Sequence, residues 1–353
     1  MRATAGHSQR PGWGRTGVVA GLVSVLLAWL GGCTPDPATT PTAVPPSTTS
    51  VTATPTLVSG ASEHAITVDG RIRMYRAFRP VGLVDPAPLV VMLHGGFGSA
   101  RTAQAAYGWD VLAGAERFVV AYPDAVGQAW NAGGGCCGLA PAQGVDDVGF
   151  VKRVIDEVSA LAPVDPTRIY VTGMSTGGMM AYRMACESDL FAAVGPVAAT
   201  LVGDCTNPAP ISVIHIHGTA DPTVPYAGPS DTGVAQIDGP AVPALLARWR
   251  TTDRCGGEVI STAGAVTRSL ARCPSGRDVL LVTVEGGGHE WPGVARSGPL
   301  DARPSATTTP GPMPSSAAAP PPVASTGTPV ASPTSDALNA TWEIWTFFKA
   351  HSR

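Results

Sequence analysis

The sequence predicts an α/β fold, a mostly parallel central sheet flanked by helices. Three observations predict it. Short apolar runs such as 88–94 and 279–284 have the composition of strands buried on both faces. Amphipathic stretches with helical spacing, such as 146–161 and 240–250, alternate with them. In 168–182, an apolar strand (Ile169 to Thr172) turns sharply through Gly173-Met174-Ser175-Thr176-Gly177 into a helix (Gly178 to Cys186). The glycines two before and two after Ser175 remove Cβ atoms that would clash in so tight a turn.

Composition narrows the possibilities. Among 353 residues, 23 Lys+Arg stand against 26 Asp+Glu, and no basic stretch or interleaving of aromatic with basic residues points to nucleic acid. The 34 prolines crowd into low-complexity segments, and the remainder, about 250 residues, suits one α/β domain. Arg2, Arg10 and Arg15 precede an apolar Gly17 to Leu30, too short for a comfortable membrane span. The following Leu30-Gly31-Gly32-Cys33 resembles a bacterial lipobox, which implies a signal peptide over 1–32 and diacylation of Cys33. The membrane would then be a partner through the lipid anchor, with the chain on the outer face of the cell membrane or secreted. Residues 33–60 read as a Thr/Pro-rich tether, and 61–353 as the folded domain. Beyond Cys33, six cysteines remain: Cys136, Cys137, Cys186, Cys205, Cys255 and Cys273. Outside the cytoplasm they predict up to three disulfides. Cys255 with Cys273 is the best single pairing, while Cys136 and Cys137 could bond each other or separate partners. Their spacings match no familiar zinc pattern.

In chain order, alternation around Asp69-Gly70 predicts a hairpin over 64–80. The strand 88–94 runs into Gly95-Gly96-Phe97-Gly98, an H-G-G loop of the kind that supplies an oxyanion donor. The second donor is the Thr176 N–H, directly after Ser175. His94 precedes that turn and is expected to brace it. A helix over 102–116 and a strand over 118–122 follow, then a glycine-rich loop, Trp130 to Gly138, in which Trp130 offers an aromatic wall. The helix 146–161 opens on two aspartates, favourable at its N-terminus. Strands are expected over 191–199 and from Ile211 towards Asp221, then the helix 240–250 and a last strand over 279–284 leading into Gly286-Gly287-Gly288-His289. Residues 296–336 read as a disordered insertion, after which 337–349 resumes as a helix with Trp342, Ile344, Trp345 and Phe348 as its core stripe. Asn339-Ala340-Thr341 matches a glycosylation sequon, but a helical position in a bacterial lipoprotein argues against that use.

Ser175, Asp221 and His289 each follow a predicted strand. Serine is a poor nucleophile alone; a histidine can take its proton, and an aspartate can hold that histidine's tautomer. Asp124 and Asp231 compete as the acid, but the first follows an earlier strand and the second sits deep in a loop, so Asp221, just past a later strand, is preferred. His215 and His217 share a strand face, yet no third ligand has suitable spacing for a metal.

These blocks together resemble the polyhydroxybutyrate-depolymerase family of secreted and Lpq-type lipoprotein esterases, related to feruloyl and acetylxylan esterases. The resemblance rests on Leu93-His-Gly-Gly96, Trp130 to Gly133 with Cys136-Cys137-Gly138, Asp146 to Phe150, Gly173 to Gly178, His217 to Pro222 and Gly288 to Gly293. It implies an α/β-hydrolase fold and a serine carboxylic-ester hydrolase with no metal or cofactor. The triad would be Ser175, Asp221 and His289, and the oxyanion hole Gly96 or Phe97 with Thr176. Trp130 and Trp291 could stack on substrate or simply wall the loops. The substrates implied are short-chain hydroxyalkanoate, feruloyl, acetyl or other small esters, with no known protein partner. A non-catalytic surface-binding lipoprotein and a serine peptidase on the same fold are the competing readings.

Overall fold

The computed structural model describes residues 56–206, 208–229, 237, 239–294 and 336–353. The expected signal segment 1–32, Cys33, tether residues 34–55, Asp231 and residues 296–335 of the expected insertion lie outside the described residues.

The predicted hairpin is present. Strands β1 (Gly60–Val68) and β2 (Arg71–Arg79) pair antiparallel across Asp69-Gly70, both at positive φ. The fold begins before residue 61, because Leu57 is buried and donates its N–H to the Leu161 carbonyl at 2.7 Å. Strand β3 (Ala87–Leu93) is buried throughout. The helix expected over 102–116 is two helices, α1 (Ala100–Ala106) and α2 (Trp109–Glu116), because Gly108 between them takes a left-handed φ of 73°.

Next come β4 (Val119–Pro123), the short α3 (Leu139–Ala142) and α4 (Asp147–Leu161). They are followed by β5 (Val164–Met174), α5 (Thr176–Glu187), β6 (Ala193–Val197), β7 (Ser212–Gly218) and α6 (Val242–Thr252). The chain continues through β8 (Glu258–Ala263), β9 (Val266–Arg272), β10 (Asp278–Val284) and α7 (Ala340–Phe348).

Among the described residues these strands form one sheet in the order β1-β2-β4-β3-β5-β6-β7-β10-β9-β8. The run from β4 to β10 is parallel, and both margins are antiparallel. This is the α/β-hydrolase fold. In β3, Leu89, Val91 and Leu93 pack with α4, α5 and α6 on one face, while Val90 and Met92 pack with α1, α2 and α7 on the other. Two covered faces explain why β3 is apolar at every position.

The hairpin β8–β9 had no forecast. Every residue of β8 is exposed, so no buried face imprints an alternating pattern. In α7 the core stripe is Thr341, Ile344, Trp345 and Phe348, at helical spacing. Trp342 is 49% exposed and does not belong to it, and the helix starts at Ala340, capped by Asn339, whose side chain accepts from the Trp342 N–H. The six cysteines pair as Cys136–Cys137, Cys186–Cys205 and Cys255–Cys273.

Candidate active site

Strand β5 ends in a turn that puts Ser175 at φ 53°, ψ −121°, a region non-glycine residues rarely occupy. Two backbone bonds hold it there. Its N–H donates to the Val197 carbonyl of β6, and its carbonyl accepts from Met179, each at 2.9 Å. A Cβ on Gly177 would run into the Leu93 and His94 carbonyl oxygens, so α5 can start hard against the end of β3 only with glycine there.

The Gly95-Gly96 turn lies on this elbow. A Cβ on Gly95 would stand 3.7 Å from Ser175 Cβ, and one on Gly96 would stand 3.6 Å from Thr176 Cγ2. Phe97 is no oxyanion donor, because its N–H already donates to the Gln128 carbonyl at 2.9 Å. The candidate donors are therefore the Gly96 and Thr176 amides. The Thr176 hydroxyl beside Gly96 is buried with no partner among the described residues. Behind the turn, buried His94 donates from Nδ1 to the Gly95 carbonyl (2.8 Å) and accepts at Nε2 from the Ala125 amide (3.0 Å). It braces the loop as the sequence predicts. Asp124 accepts from the Ala100 amide at 3.0 Å, tied to the start of α1.

The acid and the histidine meet at the next strand ends. The loop after β7 is stitched to the loop after β10 by Thr219 N–H to Val284 O (3.0 Å), Ala220 N–H to Gly287 O (2.9 Å) and Gly286 N–H to Thr219 Oγ1 (2.9 Å). His289 Nδ1 then lies 2.8 Å from Asp221 Oδ2. The other carboxylate oxygen accepts from the Thr223 and Val224 amides, both at 2.8 Å. Burial pushes the Asp221 carboxyl up, but hydrogen bonds from His217, His289 and the backbone outweigh it and hold the carboxyl far below its usual range. It is a permanent anion at neutral pH.

The family described as Esterase PHB depolymerase matches residues 74–251. Over 289 residues the chain is 34% identical to the protein described as "Putative esterase NocK" of Nocardia uniformis subsp. tsuyamanensis, covering 73% of this chain and 83% of that one. The chain belongs to this esterase family. It is also 33% identical over 221 residues to feruloyl esterase B of Piromyces equi, covering 58% of this chain and 39% of that one. A third relative, poly(3-hydroxyalkanoate) depolymerase C of Paucimonas lemoignei, is 33% identical over 153 residues, covering 40% of this chain and 36% of that one. The chain thus spans well under half the length of the last two relatives.

Neither tryptophan of this esterase lines an open cleft. Trp130 is fully buried, donates its indole N–H to the His94 carbonyl at 2.8 Å and tilts against the His94 ring. Trp291 is 3% exposed, donates to Thr341 Oγ1 at 2.9 Å and stacks on Tyr107, so it fastens α7 to the body. The large exposed aromatic at the site is Phe97, 94% exposed at φ 62°.

Two features have partners that the sequence did not show. Asp147 forms a buried ion pair with Arg73 of β2 at 2.7 Å, and its second oxygen accepts from the Asn131 amide at 2.8 Å. The second of the two helix-opening aspartates therefore holds the Trp130-Asn131 loop instead of only facing the helix dipole. The other feature is the pair His215 and His217. All four ring nitrogens are engaged, by the Tyr182 hydroxyl, by each other and by the Val224 carbonyl, which leaves no lone pair for a metal. An i, i+4 spacing from His217 to Asp221 was the available signal.

Proposed function

We propose that this esterase is an extracytoplasmic serine carboxylic-ester hydrolase, with Ser175 as nucleophile, His289 as general base and Asp221 as the acid that orients it. The 2.8 Å bond between His289 Nδ1 and Asp221 Oδ2 carries the reading. It commits the Nδ1 proton to the carboxylate and leaves Nε2 as the basic nitrogen. Ser175 Oγ attacks the ester carbonyl while Nε2 takes its proton. The Gly96 and Thr176 amides bind the tetrahedral oxyanion, usually a large contribution to rate. Collapse breaks the C–O bond, His289 protonates the departing alcohol, and an acyl-Ser175 ester remains. Water, deprotonated by the same nitrogen, then releases the acid and restores the serine.

The names of the relatives favour feruloyl esters and hydroxyalkanoates, alongside acetyl and other small esters, as the substrate class. Phe97 offers such substrates an exposed ring at the oxyanion turn. Three disulfides suit an oxidising compartment, and Cys33 would anchor the chain by its acyl groups.

The test is initial rates of the purified full-length chain on p-nitrophenyl esters of increasing acyl length, methyl ferulate, acetylated xylan and 3-hydroxybutyrate oligomers. Ser175→Ala should lose at least about 10³-fold in kcat on the preferred class. Equal turnover by wild type and variant would overturn the site, and no serine-dependent turnover on any ester would point to a non-catalytic lipoprotein.

A further inference from the structure

We infer that His217 is a positioning residue for Asp221, and that Tyr182 and His215 stand behind it as a fixed row of donors aimed at that carboxylate. The inference rests on the proposed roles of Asp221 and His289.

The row is continuous. Tyr182 Oη of α5 lies 2.7 Å from His215 Nδ1, and His215 Nε2 lies 2.9 Å from His217 Nδ1. His217 Nε2 reaches the Val224 carbonyl at 2.8 Å and Asp221 Oδ2 at 3.3 Å. All three side chains are essentially buried. One arrangement leaves both imidazoles neutral. A carbonyl and a carboxylate can only accept, so His217 Nε2 carries the proton and Nδ1 accepts. His215 must then donate from Nε2 and accept at Nδ1, which makes the Tyr182 hydroxyl the first donor. Burial holds His215 well below the ordinary histidine range and Tyr182 well above the ordinary tyrosine range, so the imidazole is neutral and the hydroxyl keeps its proton. The dipoles run in one sense from Tyr182 to His217, whose Nε2–H is shared between the Val224 carbonyl at 2.8 Å and Asp221 Oδ2 at 3.3 Å.

The consequence falls on one oxygen. Asp221 Oδ2 serves both His289 Nδ1 and His217 Nε2, while Oδ1 is occupied by two amides. His217 draws charge from the oxygen that His289 uses, and through the Val224 carbonyl it closes the turn that sets the carboxylate's direction. Without that N–H, Asp221 would bind the His289 imidazolium more strongly, and the acid limb of the rate profile would move to higher pH. The titratable groups facing the imidazole pair are Tyr182 from α5, Tyr226 from the segment after β7, and Asp221 and His289 themselves.

The experiment is the pH profile of kcat/KM for the full-length protein on its best ester, with Ser175→Ala alongside. His217→Leu should raise the acid limb by about half a pH unit or more and lower kcat about tenfold, with KM little changed. His217→Gln, which restores an N–H near Nε2, should recover most of both. Tyr182→Phe, which keeps the buried ring, should move the limb the same way by less, and it decides the matter if His217→Leu does not fold. An acid limb in Tyr182→Phe that coincides with wild type overturns the inference, as does one in a folded His217→Leu. Turnover that survives Ser175→Ala overturns the underlying site instead.

Discussion

At Asp221, hydrogen bonding reverses what burial alone would do to a carboxyl. Four donors converge on it, two amides on one oxygen and two imidazoles around the other. A folded-state pKa held below the unfolded one contributes stability that is fully present above the unfolded value, about 3.9, and lost as pH falls towards the folded value. Melting temperature measured by calorimetry from pH 6 down to pH 2 should therefore fall more steeply in wild type than in Asp221→Asn. Parallel curves would mean that the carboxylate is no better held in the folded chain than in the unfolded one. Ser175 shows the opposite economy. Its positive φ is a local cost, sustained because β5, β6 and the Gly95-Gly96 turn leave the backbone no other course.

At the scale of elements, the site is assembled where parallel strands end. Strand β5 leads into Ser175, β7 into the loop of Asp221 and β10 into the loop of His289, all in the parallel run β5-β6-β7-β10; the proposed triad draws on those three strand ends. Backbone contact keeps the last two in step, because a Cβ on Gly218 would run into Gly287. The opposite flank depends on the Arg73–Asp147 pair, which links β2 to the start of α4 and, through Asn131, to the Trp130 loop that donates to the His94 carbonyl beside the Gly95-Gly96 turn. Asp147→Asn leaves a buried guanidinium without its carboxylate and should cost about 3–5 kcal/mol, a fall of roughly 6–20 °C in Tm for a domain of this size. The double variant Arg73→Met/Asp147→Leu should recover part of that loss in thermal unfolding. A single variant as stable as wild type would show that the pair contributes nothing net.

For the molecule as a whole, the ends of the expected insertion come together. The Ala340 amide donates to the Pro292 carbonyl at 3.0 Å, and Gly293 lies against Leu338 and Asn339. The segment after β10 and the start of α7 therefore meet directly through described residues. Replacing 296–335 with a short Gly/Ser link should favour folding by about 1–2 kcal/mol through the shorter closed loop, so Tm should hold or rise slightly. A collapse of Tm would assign those residues to the fold. Rates on small and polymeric esters in the same variant would report whether that segment governs access. The three disulfides act on the same scale, with Cys186–Cys205 tying the end of α5 to the segment before β7.

Much of this was legible because it is local. Apolar runs, helical spacing and glycine punctuation placed the parallel strands, α4, α5 and the elbow, since a strand buried on two faces admits little but apolar residues. Ser175, Asp221 and His289 stood out because each follows such a strand. The sequence could not say where a ring would go. Trp130 and Trp291 have the composition of a substrate wall, yet their depth depends on helices and loops distant in the chain. The exposed strand β8 left no pattern, and a single left-handed glycine was enough to split one helix into two. Phe97 could be read as a donor until the fold brought the Gln128 carbonyl to its N–H. Most of all, His215 and His217 look in one dimension like a metal pair. Only the fold, which brings Tyr182 of α5 to one end of the pair and Asp221 to the other, turns them into a row of donors, because the partner of a buried hydrogen bond is chosen by tertiary contact and not by spacing along the chain.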